Sequence, residues 1–223
     1  MNTDKVKHIF LRHGRLASPY DNYENMSLLQ LRNLADETFH PVVDKLFVSQ
    51  KFPNIQRVFL PNLPVHFHVS PSDRAQQTAN ILQSLISPTT TTFFETNPDL
   101  REISFRLDHI YPDEELLNLS LLNSIILDGV ARGHSSIEPY PSVYSRANQI
   151  IESAKNAPEG THIYITHDFF MRVLDISTHR GDVPKSVTPS ELKSTDRNDY
   201  LEGFTCDANL TYIDRVVNKE NLT

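Results

Sequence analysis

The residues best suited to chemistry lie in the run Phe10-Leu11-Arg12-His13-Gly14-Arg15, where an apolar stretch breaks abruptly into charge. A neutral imidazole is a competent nucleophile toward phosphorus near pH 7, its reference pKa being about 6.5. Arginine beside it presents a planar fork of donors that matches phosphate oxygens. Glycine permits a tight turn and a close approach that a bulkier residue would block. A histidine alone would be unremarkable, but a nucleophile beside an anion clamp is not. Two further polar clusters follow apolar segments in the same way. They are Ser70-Pro71-Ser72-Asp73-Arg74 and His167-Asp168.

Those clusters need elements to hold them. Val6–Leu11, Val65–Val69 and Thr161–Thr166 are short runs of branched, aromatic and His residues, and they read as strands. Helical patterns follow each of them. Ser27 to about Gln50 carries apolar residues near a 3.6 period, with Pro41 expected to kink or split it. Ala75–Ile86 follows Ser72 and Asp73, both good N-cap types; Ser142–Ala154 and Phe169–Ile176 are further helices. Asn209–Ile213 reads as a late strand, and the threonine run Thr89–Thr92 as a loop. Alternation of strands and helices predicts a three-layer α/β/α sandwich on a mainly parallel sheet. Such sheets bind ligands beyond the carboxyl ends of their strands, which is where the polar clusters fall.

One segment breaks the rhythm. Residues 104–139, rich in Leu and Ile between Pro112 and Val130, are expected to form a helical insertion, either a lid over the site or an ordinary packed helix pair. The 223 residues as a whole suit a single domain of 25.5 kDa carrying that insertion. A chain of this length buries about 70% or more of its unfolded surface and needs no disulfide or metal staple. Cys206 is the lone cysteine, so an internal disulfide and cysteine-rich metal sites are excluded. It reads as a small apolar filler. With 21 Lys+Arg against 28 Asp+Glu the net charge is -7, which argues against a nucleic-acid partner. A small phosphorylated substrate stays compatible, because a few local arginines outweigh a modest global charge. No run approaches the ~18 apolar residues of a membrane span, and about four apolar residues before Arg12 are too few for a signal-peptide core. The expectation is a soluble, unexported, cytoplasmic protein, with oligomeric state unread.

Taken together, the clusters resemble those of the histidine phosphatase superfamily, in its phosphoglycerate mutase-like branch. Arg12-His13-Gly14 after an apolar strand is similar to its first signature, and Ser70 through Ala79 to its second. Leu100-Arg101-Glu102-Ile103 is similar to the acidic segment of that branch, and Ile165-Thr166-His167 followed by Met171-Arg172 to its last signature. The resemblance spans Lys7 to Leu174. It implies that His13 becomes phosphorylated, that Arg12, Arg74 and His167 surround the transferring phosphoryl group, and that Glu102 protonates the leaving oxygen and then activates water. It also implies a phosphatase acting on a monoester with neither metal nor organic cofactor. Phosphoryl transfer asks mainly for positioning and positive charge around the equatorial oxygens, which these residue types supply.

The departures from the family pattern carry weight too. Asp168 stands where glycine is common in this branch; His167-Asp168 resembles instead the His-Asp pair of the acid phosphatases. Asp168 is therefore a second candidate acid, the alternative being an N-cap of the helix that follows. Arg15, Leu16 and Pro19 occupy slots where mutase-like members hold other residues, which speaks against a dedicated mutase, although a mutase-like phosphotransferase and a non-catalytic phosphate sensor remain alternatives. Arg15, Arg106 and His134 are candidates for substrate binding. His66 and His68 share a strand face and suggest either a metal pair or packing partners, with no third ligand at suitable spacing. Arg172 reads as structural.

Overall fold

The computed structural model describes residues 5–21, 23, 26–106, 119–195 and 199–216. Its centre is a six-stranded sheet in the order β3-β2-β4-β1-β5-β6. These strands are β1 (Val6–Arg12), β2 (Val65–Val69), β3 (Thr92–Thr96), β4 (Gly160–Thr166), β5 (Gly203–Cys206) and β6 (Tyr212–Val216). β3, β2, β4 and β1 run parallel, whereas β5 and β6 are antiparallel additions at one edge. β4 is buried at every residue, as expected where helices cover both faces of a parallel sheet. Among the described residues the α-helices are α1 (Leu28–Ala35), α2 (Lys45–Gln56), α3 (Asp73–Leu85), α4 (Leu119–Arg132), α5 (Tyr140–Lys155), α6 (Asp168–Arg180) and α7 (Pro189–Ser194).

The mixed α/β architecture with a mostly parallel sheet is the one expected. The predicted helix over 27–50 is two helices, because the stretch around Pro41 breaks it. α1 starts on a capping box in which Ser27 and Gln30 satisfy each other's backbone donors. Ser72 caps α3 by accepting the Ala75 N–H. At the C-terminal end the expectation needs correcting. Asn209–Thr211 is the turn of a hairpin, not a strand, because Asp207 Oδ1 accepts the N–H groups of both Asn209 and Thr211 and closes the chain there. The strands lie on either side of that turn. β3 went unforeseen: it is an exposed edge, so its sequence shows no buried alternation.

Of the predicted insertion, residues 107–118 lie outside the described residues. In α4, Val130 is fully buried in the core while Leu122 and Ile126 line a cavity near the strand ends. On the sheet, His66 stacks on His162 with ring centroids 4.5 Å apart, and His68 Nε2 lies 3.0 Å from His162 Nδ1. These are packing partners, and among the described residues no three His, Cys, Asp or Glu side chains converge as a metal site requires.

Candidate active site

The parallel register decides which residues meet. Arg12 pairs with Thr166, and Val69 with Ile165. The ladder then runs one residue further on each side of β4: the His13 N–H donates to the Thr166 carbonyl and the Ser70 N–H to the Ile165 carbonyl, both at 3.0 Å. Because β4 lies between β2 and β1, His167 emerges between Ser70 and His13. Three segments separated by up to about 150 residues therefore open at one edge of the sheet.

Gly14 is required there for a reason other than the expected ligand approach. A Cβ at this position would come within 2.8 Å of Val48 and 2.9 Å of Val43. Its N–H donates to Thr78 Oγ1, which in turn donates to the Arg74 carbonyl, so the first turn of α3 is tied to the nucleophile loop. The glycine serves packing of that loop against α2 and α3.

Both buried imidazoles have their protons assigned by partners that can play only one role. His13 Nδ1 is 2.9 Å from the Gly14 carbonyl, which can only accept, while Arg74 Nε donates to His13 Nε2 at 3.2 Å. Nδ1 carries the proton, and the Nε2 lone pair faces the arginine. His167 is the mirror case. Arg74 donates through its second terminal nitrogen to Nδ1 at 3.3 Å, so Nε2–H points at Ser70 Oγ (2.9 Å) and Ser72 Oγ (3.2 Å). Burial, then the charges of Arg74 and Arg12, hold the His13 pKa well below its ordinary value. His167 is pushed the same way by burial, Arg74, His13 and Arg12. Two neutral imidazoles thus flank one guanidinium, with ring centroids 5.1 Å apart.

Arg12 is buried with its guanidinium 4.2 Å from the Tyr200 ring centroid. Burial opposes its charge, but Tyr23, Asp168 and Tyr200 more than offset that and move its pKa up. Glu102 follows a 3₁₀ turn at Pro98–Leu100. Its Oε1 accepts the N–H of Ile103 (2.9 Å) and of Phe170 (3.2 Å), the latter in the first turn of α6. Burial, aided by the Asp168 charge, raises its pKa to about 7 against the pull of those N–H donors and of Arg74. Asp168 is no helix cap. The N-cap is His167, without a side-chain cap bond; Asp168 is the first helical residue, and its Oδ2 accepts from Arg172 at 3.3 Å. Arg172 also donates to the carbonyls of Leu192 and Thr195, a structural role.

Arg12, His13, Arg74, Glu102, His167 and Asp168 are therefore brought together. The three candidates for substrate binding are not. Arg15 pairs with Asp44 at 2.8 Å and lies over Phe47. His134 is exposed and accepts the Ser136 N–H, and Arg106 is exposed with its backbone bound to Ser136. None of them lines the cavity of about 220 Å³ beside Arg74 and Glu102. Residues that the sequence did not single out as site candidates also contribute: Ser70 and Ser72, Tyr23 and Tyr200, and the pair Glu138–Arg146. Arg146 donates to both Glu138 oxygens (3.1 and 2.8 Å) and to the carbonyls of Asp99 and Arg101, clamping the segment that carries Glu102. Glu37, at the cavity mouth, forms an ion pair with Arg74 at 3.2 Å.

Comparison with known proteins bears on the family and the fold. Residues 57–183, more than half of the chain, match the family model of the histidine phosphatase superfamily (branch 1). The chain belongs to that superfamily. The match begins after Arg12-His13-Gly14, so it is the sheet that joins this tripeptide to the matched residues of the phosphatase family. Solved structures share the fold. A candidate α-ribazole-5′-phosphate phosphatase of Escherichia coli aligns with TM-score 0.59 at 15% identity, covering 96% of both chains. Mycobacterial glucosyl-3-phosphoglycerate phosphatase gives 0.57 at 15%, covering 94% of this chain and 95% of its own. YhfR of Bacillus stearothermophilus gives 0.57 at 17%, covering 93% and 94%. No curated protein matches the sequence. Among the described residues no helix is long and apolar enough to cross a membrane.

Proposed function

We propose that this histidine phosphatase hydrolyses a small phosphate monoester through a phosphohistidine on His13. The observation that carries the reading is the arginine-to-imidazole geometry, with Arg74 Nε 3.2 Å from an unprotonated His13 Nε2. Nε2 attacks the phosphorus and the bond to the leaving oxygen breaks. Arg12 and Arg74 bring positive charge and donors to the three equatorial oxygens, where they act most strongly, and His167 lies beside them with its Nδ1 on Arg74. Glu102, protonated near neutrality, gives its proton to the departing oxygen. Water then attacks the phosphohistidine, Glu102 accepts a proton from it, and the P–N bond breaks to release inorganic phosphate. The arginines supply the charge in this scheme, so EDTA should leave the rate unchanged.

Hydrolysis is favoured over transfer to a second phosphorylated compound by the fate of three positions after the nucleophile. Leu16 is fully buried and bridges to Val43, Arg15 is committed to Asp44, and none of Arg15, Leu16 and Pro19 lines the cavity. The test is phosphate release from p-nitrophenyl phosphate together with rapid-quench trapping of an acid-labile, base-stable phosphoprotein. Both signals should vanish in His13→Ala. Turnover by that variant at the wild-type rate would end the proposal.

A further inference from the structure

The cavity that continues outward from Arg74 and Glu102 has more apolar than polar wall. Its apolar walls come from separate elements, Leu34 and Ala35 at the end of α1, Ile103 and Phe105 after the acid, Leu122 and Ile126 on α4, and Tyr23, Ser104 and Asn123 add polar groups between them. Phe169, in the first turn of α6, closes it edge-to-face against Phe105 with centroids 6.4 Å apart. The charged groups on its surface already have partners. Arg74 faces the phosphoryl site, and Arg101 donates to the buried Glu138 carboxylate at 3.1 Å. Glu37 stands at the mouth with its carboxylate on Arg74, where it opposes a second anionic group. Near pH 7 Glu102 is about half neutral.

We infer that the substrate is a phosphate monoester of an uncharged, apolar alcohol or phenol whose leaving group fills this chamber. The inference rests on the hydrolase reading above. At about 220 Å³ the chamber falls below the ~300–1,000 Å³ usual for drug-sized ligands, which suits a leaving group of roughly one or two rings or a short alkyl chain. Glycerate and sugar esters would bring a carboxylate or several hydroxyl groups against Leu, Ile and Phe, with Tyr23, Ser104 and Asn123 as the uncharged polar groups on the wall, and burying the remainder unpaired is costly.

The experiment is a homologous series of n-alkyl phosphates, ethyl to octyl, in which leaving-group basicity is nearly constant and only apolar bulk varies. Buried methylene is worth about 0.8 kcal/mol, so kcat/KM should rise about fourfold per CH₂ until the chamber is full. From ethyl to hexyl that is on the order of 10²-fold. 3-Phosphoglycerate and glycerol 3-phosphate should fall below butyl phosphate. Ala35→Phe, which partly fills the chamber from a half-buried position, should move the optimum to shorter chains, while an unchanged melting temperature reports an intact fold. A flat series, a preference for 3-phosphoglycerate, or an optimum unmoved in Ala35→Phe overturns the inference while p-nitrophenyl phosphate turnover keeps the hydrolase reading. No turnover of any ester, p-nitrophenyl phosphate included, overturns both.

Discussion

Replacing Glu102 by Gln tests the acid assignment most directly. The amide keeps a carbonyl oxygen able to accept from the N–H groups of Ile103 and Phe170, so the side chain should hold its place while losing its proton. In the native protein burial lifts the carboxyl to about 7. It is then about nine-tenths protonated at pH 6 and about one-tenth at pH 8, so kcat/KM for an alkyl phosphate should fall about tenfold between those values. General acids contribute about 10²–10⁴-fold, or roughly 2.7–5.4 kcal/mol of barrier, when the leaving group is a poor one. Glu102→Gln should lose that much on butyl phosphate and shed the limb above pH 7. The p-nitrophenolate leaving group needs little protonation, so its release should persist as a stopped-flow burst of about one equivalent, followed by slow turnover because water activation is lost as well. Equal transient-phase losses on both substrates would refute the assignment. Loss of the alkaline limb in Asp168→Asn instead would move the role to Asp168.

Arg74→Lys keeps the charge but cannot reach His13 Nε2 and His167 Nδ1 together. A fall in kcat of about 10²–10³-fold, with weaker inhibition by vanadate, is expected; a loss under tenfold would count against the fork. Glu138→Gln leaves the buried Arg146 guanidinium uncompensated, a change that costs about 3–5 kcal/mol and, for a chain this size, roughly 6–20 °C in melting temperature. Activity should drop with it, since this pair holds the Glu102 segment; an unchanged melting curve would rule the clamp out. The histidine stack predicts acid lability. Burial first, then neighbouring histidines, lowers His8 to about 3; burial lowers His162 to about 4 despite the Pro158 carbonyl. Both are neutral folded and unfolded above pH 6.5, so nothing changes there. Below 6.5 the unfolded chain takes up protons that the fold refuses, and by pH 5.5 each group removes about 1.4 kcal/mol. The stack should account for roughly 6–11 °C of the change in melting temperature between pH 7.5 and 5.5, read as the part that shrinks in His162→Gln. A change of the same size in His162→Gln would show that the stack titrates elsewhere.

What could be read from the chain was whatever is local to a strand end. The change from Phe10-Leu11 to Arg12-His13, or from Ile165 to His167, is visible within a few residues because burial stops where the strand does. Partners across the sheet are not visible in that way. Tyr200 reaches Arg12 from the far end of the chain, and Glu138 meets Arg146 only because α5 begins beside the Glu102 segment. Ser70 and Ser72 carried a weak signal, two hydroxyls bracketing Pro71 at a strand end, but their aim at His167 depends on the β2–β4 register. Arg15 shows the converse. Its sequence position beside the nucleophile suggested a ligand, yet the chain turns sharply enough after Gly14 for its side chain to lie on α2.

The same register explains how a chain of net charge -7 can offer an anion site. Each imidazole is kept neutral by burial and by a guanidinium that donates to it, and each remaining ring N–H is taken by an acceptor outside the phosphoryl position. Arg74 is thereby held between two lone pairs, with its guanidinium already beside the phosphoryl position as charge builds on the phosphorus oxygens. Preorganisation of this kind lowers a barrier because the dipoles are aligned before the reaction begins. It also sets an order of events. Attack by His13 takes away the lone pair that Arg74 Nε was bonded to, so that N–H is released toward the incoming phosphoryl oxygens as the P–N bond forms. Glu37, still paired with the same guanidinium, must yield to the phosphate or share it. Glu37→Gln should therefore tighten inhibition by inorganic phosphate several-fold while leaving the two imidazole contacts in place, and a Ki unchanged from the native protein would show that Glu37 does not compete for the arginine.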